Sequence, residues 1–320
     1  MALNGWIPDE IVSEEIYNVY NRGSAVLRNV VAQDMDSHTD QIPVAGSGNV
    51  SVVTDETKVL ADDSRTDGSV TVAASIFKEV VPMTSVDLQD AGPSRAAALD
   101  ASMNSSRQAF GRVFDLASLT AGVLQATNKN PARKTALPYN SAGRVARLAG
   151  NHTAFNKTTA ITKAAIDAAV EKVLSSTRVN VDALRWFMPP SLLADVAALT
   201  ATTGGPYYIE PRTESSPATI AGFPVELTLG ARGQTDLATN NVAADNADCL
   251  LLVDTSQMAV GRARIDEDMD GSSGFLVVPK MTTEISLQNR IVFLARYGAA
   301  IATDPVTASN TPVYVITKLR

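Results

Sequence analysis

The sequence predicts an α+β chain built around one long helix, and three observations lead there. A strongly patterned helix in the first half is longer than a compact domain of this size usually offers. A hairpin rich in Val and Thr, with polar faces, precedes it. The second half alternates strands with helices and then closes on strands. At 320 residues, 45% hydrophobic and 19% charged, the chain can bury a sizeable core.

The first stretch, to about residue 35, has a helical pattern of Ile11, Ile16, Val19, Val26, Leu27, Val30 and Val31 among polar residues. That is too little apolar surface for a core of its own, so residues 1–45 read as an N-terminal arm packed on something else. Residues 46–82 read as an extended β-hairpin loop, punctuated by Gly46, Gly48 and the Asp67-Gly68 turn signal. Its middle, Asp55 to Ser69, is mostly polar, and a two-stranded excursion of this kind is not stable alone in water. It needs a partner surface from the chain or from another subunit, with Lys58, Arg65, Asp67 and Gly68 as candidate contacts.

Pro93 then opens the long helix. Leu99, Met103, Ser106, Phe110, Val113 and Ala117 recur at steps of four and three to form one stripe. About 30 residues at 1.5 Å each predict a spine of roughly 45 Å, within a peripheral domain spanning 83–129. A loop rich in Asn, Pro, Lys and Arg follows, and then an amphipathic helix over Thr162 to Ser175 with Ile166, Ala169, Val170, Val173 and Leu174 on its face. Next come strand ALRWFM, helix PSLLADVAALT, and strands PYYIEP, FPVELTL and CLLLVD. This order implies a mixed sheet with helices against it over 130–265. Residues 266–320 return to strand patterning, and no internal repeat is visible.

The chemistry is sparse. The net charge of −7 argues against high-affinity nucleic-acid binding through a basic face, though not against loose contact with packed DNA. No apolar run is long enough to span a membrane. The start, MALNGWIPDEIVSEE, lacks signal-peptide character, so the product is expected in the cytoplasm of the cell that makes it. Cys249, the single cysteine, reads as a small buried hydrophobe. His38 and His152 read as solvated loop residues, and no GxSxG elbow supports a hydrolase. Glycine-rich nucleotide cradles are missing, and Cys and His are too few for zinc.

Asp266, Asp268 and Asp270, followed by Gly271, fit the start of a calcium loop, but its twelfth position is Val277 instead of Glu. A solvated acidic loop is the preferred reading and a structural cation the alternative. The pairs Glu14-Glu15 and Asp62-Asp63 read as charged surface. Lys58 and Asn289 could be partners in a covalent link, but ordinary surface residues are the simpler reading. In WFMPPSLL, Pro189 and Pro190 end a strand and start a helix, and Gly204 and Gly205 are placed to cap it. Ser191 has no base near it in sequence, so the turn reads as framework. No catalytic residue and no cofactor is implied.

Taken in order, four stretches resemble the major capsid proteins of tailed bacteriophages with the Hong Kong 97 capsid fold. SIFKEVVPMTSVDLQDA is similar to that family's passage from extended loop to peripheral domain. The helix from Pro93 to about Leu124 resembles its spine helix. LRWFMPPSLLADVAAL, followed by two glycines and AGFPVELT, resembles its axial-domain pattern, and NRIVFLARYGAAIATDPVTA its closing strands.

The resemblance implies a structural protein without enzymatic activity, whose copies close as hexamers and pentamers into an icosahedral head around double-stranded DNA. It implies a virion location after assembly in the host cytoplasm, with scaffold, portal and decoration proteins as further partners. Residues 130–265 would be the axial domain, gathered around the symmetry axes. The short arm implies that no long scaffolding segment is fused here: either it is already removed, or a separate scaffold or none acts, and Met1 favours the latter. An encapsulin-like nanocompartment shell holding cargo enzymes is the first alternative, and a soluble α/β enzyme the second.

Overall fold

The continuous apolar run of CLLLVD decides the architecture, because a strand without alternation must be covered on both faces. In the computed structural model this is β11 (Ala247–Asp254), buried along its whole length. The structure describes residues 23–37, 39–44, 68–84, 95–120, 141–176, 179–203, 209–210, 218–233, 247–263, 275–281, 288–301 and 311–319. β11 lies within an eight-stranded mixed sheet. Its neighbours are β15 (Val313–Leu319) on one edge and, on the other, β6 (Leu184–Met188) and the short β10 (Arg232–Gly233). Outward from these run β5 (His152–Phe155) beside β15, then β9 (Phe223–Leu227), β8 (Thr219–Ile220) and β7 (Ile209–Glu210) beyond β6. β8 turns into β9 through Ala221 and Gly222, both left-handed at φ 51° and 83°, the conformation that a two-residue hairpin requires.

Alternation along β11 sends Leu250 and Leu252 to one face and Cys249, Leu251 and Val253 to the other. The first face packs against helices α4 (Lys163–Leu174) and α5 (Leu193–Thr203), burying Ile166, Val173, Trp186, Leu192 and Val196. Thr162 caps α4 by accepting from the Ala165 amide, and Ser175 ends it, as the sequence predicts. Trp186 is fully buried and satisfies its ring N–H on the Ile220 carbonyl at 3.0 Å.

The second face shares one apolar cluster with the long helix α2 (Arg95–Asp115), the short α3 (Ala142–Leu148) and a second sheet. That sheet is organised by β14 (Gln288–Ile301), 14 residues long. β4 (Ser75–Thr84) and β13 (Phe275–Met281) pair with the same stretch of β14, so they must occupy opposite edges. β12 (Met258–Ala263) takes over β13's edge from Tyr297 onward, and β1 (Ala32–Met35) adds to it in parallel. A two-stranded ladder of β2 (Thr39–Val44) and β3 (Gly68–Ala73) leads into β4.

Four rings fasten α2 to this sheet. Phe110 and Phe114, one turn apart, stack at 5.8 Å, and Phe77 from β4 and Tyr297 from β14 meet them edge-on at 5.4–6.0 Å. The i, i+4 spacing places both phenylalanines on one helix face, and each such pair adds about 0.5–1.5 kcal/mol beyond burial.

Several expectations change. Residues 32–35, expected in a helix, form β1; the helix that precedes it (α1) spans Ala25–Asn29, and residues 1–22 lie outside the described part. The spine's α-helix ends at Asp115 and passes into a π turn, Leu116–Thr120. Gly68 is the first residue of β3, opposite Val44, and so is not the tip of a tight turn. β12 lies within the expected axial stretch yet joins the second sheet, and β15, from the closing strands, joins the eight-stranded one. Pairing follows edge availability in space, which sequence order does not fix. His152 belongs to strand β5 and is half-buried, not a loop residue; His38 lies outside the described residues.

Phe114→Ala should lower the unfolding free energy of the soluble chain by about 3–5 kcal/mol. Val31→Ala, at a position 86% exposed, should change it by less than about 0.5 kcal/mol. Denaturant titration followed by circular dichroism measures both.

Candidate functional site

The second sheet contains a bare strip. β12 and β14 place Gly261 directly opposite Gly298, with Ala259, Ala263 and Ala300 around them. β3 crosses over this strip at backbone distance. A Cβ on Gly298 would lie 2.8 Å from Val72 Cγ1 and closer still to the Ala73 carbonyl oxygen. One on Gly261 would lie 3.2 Å from Val72 Cγ1 and 2.8 Å from Met35 Cγ. Met35, Val70, Val72, Ala74, Ala263 and Ala300 form a cluster separate from the main core. At Gly298, where the Ala73 backbone blocks a side chain, glycine is required for close approach rather than for backbone conformation. The strip is a seat that fixes how the β2–β3 ladder leaves the body.

A second arrangement sits where α2 ends. Asp115 is fully buried and accepts four hydrogen bonds: from Ser24 Oγ, from the Ala25 amide at 2.9 Å, from the Val26 amide at 3.2 Å, and from Thr228 Oγ1 at 2.5 Å. Burial pushes its carboxyl above the ordinary carboxylate value, and the four donors pull it part of the way back. With the folded value raised, the folded chain holds this proton more tightly than the unfolded chain does. The group's contribution is therefore most favourable below the ordinary value of 3.8 and is lost as the pH rises through the raised one.

The third arrangement ties α5 to the eight-stranded sheet. Ser191 Oγ donates to Asp248 at 2.6 Å, Arg232 approaches the same carboxylate at 3.7 Å, and Lys318 pairs with Asp195 in the first turn of α5. Asp248 lies opposite Arg232 on one edge of β11 and Lys318 on the other; Arg232 faces the Asp248 carboxylate, while Lys318 turns to Asp195. The WFMPPSLL turn is thus a structural anchor: Ser191 spends its proton on a carboxylate.

Among the described residues, no group of three or more His, Cys, Asp or Glu side chains is placed to hold a metal ion. Lys58, Arg65, Asp67, Asp266, Asp268 and Asp270 lie outside the described residues, as do Gly204 and Gly205. Asn289 lies on β14 between Met83 and Met281. Cys249 is buried in β11. The glycine seat and Asp115 were not singled out from sequence. No local pattern marks either, because the groups that meet them, Ser24 and Thr228 at Asp115 and Val72 and Ala73 at Gly298, lie far away in the chain.

Residues 6–296 match the phage capsid family. The chain belongs to that family. Among solved structures, the capsid subunit resembles a protein of Mycobacterium phage Bobi at 18% identity and TM-score 0.58, covering 92% of this chain and 90% of the other. A protein of Microbacterium phage Oxtober96 matches at 20% identity and TM-score 0.58, covering 92% and 91%. The procapsid of satellite phage P4 with its size-determination protein matches at 10% identity and TM-score 0.55, covering 95% and 98%. No curated protein matches the chain in sequence. The fold is that of Hong Kong 97-like capsid proteins, and this is a major capsid protein, a structural component of a bacteriophage head.

For this subunit, Gly298→Val forces side chain into the space held by Val72 and the Ala73 carbonyl. Overpacking of this kind costs about 1–3 kcal/mol, which the body tolerates and the seated hairpin does not. Circular dichroism should stay near wild type while the yield of closed shells in electron micrographs falls at least about tenfold. Normal shells would mean that the seat does not set the hairpin.

Proposed function

We propose that copies of this chain close, as hexamers and pentamers, into an icosahedral shell around double-stranded DNA. The segment 45–67 would reach over the neighbouring subunit. The observation that carries this reading is the β2–β3 ladder, held at its base by the glycine seat and ending at the Val44–Gly68 pair. The stretch between those two residues carries only Val50, Val52, Val53, Val59 and Leu60 as larger apolar side chains, too few for a core of its own, so its stabilising surface is assigned to another copy. Lys58, Arg65, Asp67 and Gly68 are its proposed contacts, with residues 130–265 as the proposed axial domain around the symmetry axes.

Assembly is placed in the host cytoplasm, with scaffold, portal and decoration proteins as further partners. Contact with packaged DNA would be weak and non-specific, since the chain carries a net charge of −7. The acidic stretch 266–271 is assigned to a solvated loop. An encapsulin-like compartment is not favoured by the family match, which is to phage capsids over residues 6–296.

The test is electron microscopy of the expressed chain, alone and with its phage's head proteins. Closed icosahedral shells are expected, and replacing 46–66 by a short glycine–serine turn should leave a folded subunit that forms none. Unchanged shells from the shortened chain would refute the proposed reach of the hairpin.

A further inference from the structure

The Asp115 junction joins two segments that do not otherwise meet through this carboxylate, and its hydrogen bonds are arranged as two relays. On one side the Leu27 amide donates to Ser24 Oγ at 3.1 Å, and that hydroxyl donates to Oδ1. On the other the Gly230 amide donates to Thr228 Oγ1 at 3.0 Å, and that hydroxyl donates to Oδ2 at 2.5 Å. Each hydroxyl has its single proton committed to Asp115 because its own backbone supplies the donor it accepts. Oδ2 holds the Ala25 amide as well, so one oxygen bridges the N-terminal segment and the 228–231 loop. Hydrogen bonds chained in this way strengthen one another.

The surroundings leave no slack. A Cβ on Gly111 would collide with the Gly23 carbonyl and sit 2.8 Å from the Ser24 nitrogen; one on Gly230 would sit 2.6 Å from the Leu116 nitrogen and 2.8 Å from the Arg112 oxygen. α1 has five residues, too few to be helical unless docked. Its cap and first amides are satisfied by Ser24 and Asp115, so helix formation and docking are one event. Arg28 repeats the connection at the surface, meeting Glu226 at 2.8 Å. Directly after Asp115 the helix widens into the π turn, and Thr120 Oγ1 donates to the Arg232 carbonyl at 2.5 Å, a second hold on β10 just beyond that loop.

We propose that Asp115 is a positioning residue for shell assembly, making docking of segment 24–30 and placement of the 228–231 loop a single equilibrium. Loosening either segment costs the other its acceptor geometry, so the arm and the eight-stranded sheet are presented to neighbouring subunits in one fixed relation. The assembly part rests on the shell-forming reading above; the coupling itself does not.

The test uses the full chain and tryptic cleavage after Arg28, which requires α1 to undock. Thr228→Val removes a hydroxyl bonded to Asp115 and to the Gly230 amide, and Ser24→Ala removes one within segment 24–30 itself. Each should raise the cleavage rate about tenfold, the effect of losing one buried hydrogen bond. The double variant should exceed either single by far less than another tenfold, the mark of coupled sites. Thr228→Ser, which keeps the hydroxyl, should cleave at the wild-type rate. Electron micrographs should show wild-type and Thr228→Ser shells alike, with Thr228→Val shells irregular in diameter. Wild-type cleavage by Thr228→Val, or effects that simply multiply, would overturn the coupling. Regular Thr228→Val shells despite raised cleavage would overturn the assembly role. A wild-type chain that forms no shells would count against the shell-forming reading alone, since the cleavage measurements stand without it.

Discussion

Asp115 takes its four hydrogen bonds from Ser24, Ala25 and Val26 on one side and Thr228 on the other, partners about 90 and 113 residues away in sequence. A buried carboxylate carries a desolvation cost that only well-aimed donors offset. These donors belong to different parts of the chain, so the end of the spine helix, segment 24–26 and the loop after β9 are ordered together or not at all. The aromatic cluster fixes α2 on the second sheet, the common core fixes the first sheet against α2, and Asp115 fixes the arm to both.

The second sheet solves a different problem. β14 has more paired length than one neighbour can use, and its edges are divided among β4, β13 and β12. Where β3 must cross that sheet, side chains would hold it off, and the Gly261–Gly298 pair removes them. One sheet therefore both frames the subunit and aims the hairpin. The proposed reach of the hairpin thus depends on the same packing that stabilises the monomer.

The sequence made the local elements legible and left their pairing open. CLLLVD, ALRWFM and the Thr162–Ser175 helix carry patterns that survive folding, because burial of their apolar faces is what creates the pattern. Ala32–Met35 continues a helical pattern in sequence yet forms a strand, because its parallel partner, Val260–Ala263, lies more than two hundred residues away. Phe114, central to the ring cluster, fell outside the stripe drawn through Phe110 and Val113, since a wide buried face exceeds a single row of steps. Asp115 and Gly298 carry no local signal of their role: the chemistry that needs them is supplied by distant segments. The candidate contacts at Lys58, Arg65 and Asp67 are polar residues that only a partner surface can organise.

Amide hydrogen exchange at Ala25, Val26 and Gly230 tests the Asp115 tie most directly. If the carboxylate holds both segments, the three amides should be strongly protected and should open with the same free energy, as one cooperative unit. Exchange of Ala25 and Val26 at the rate of unstructured chain, with Gly230 still protected, would contradict it.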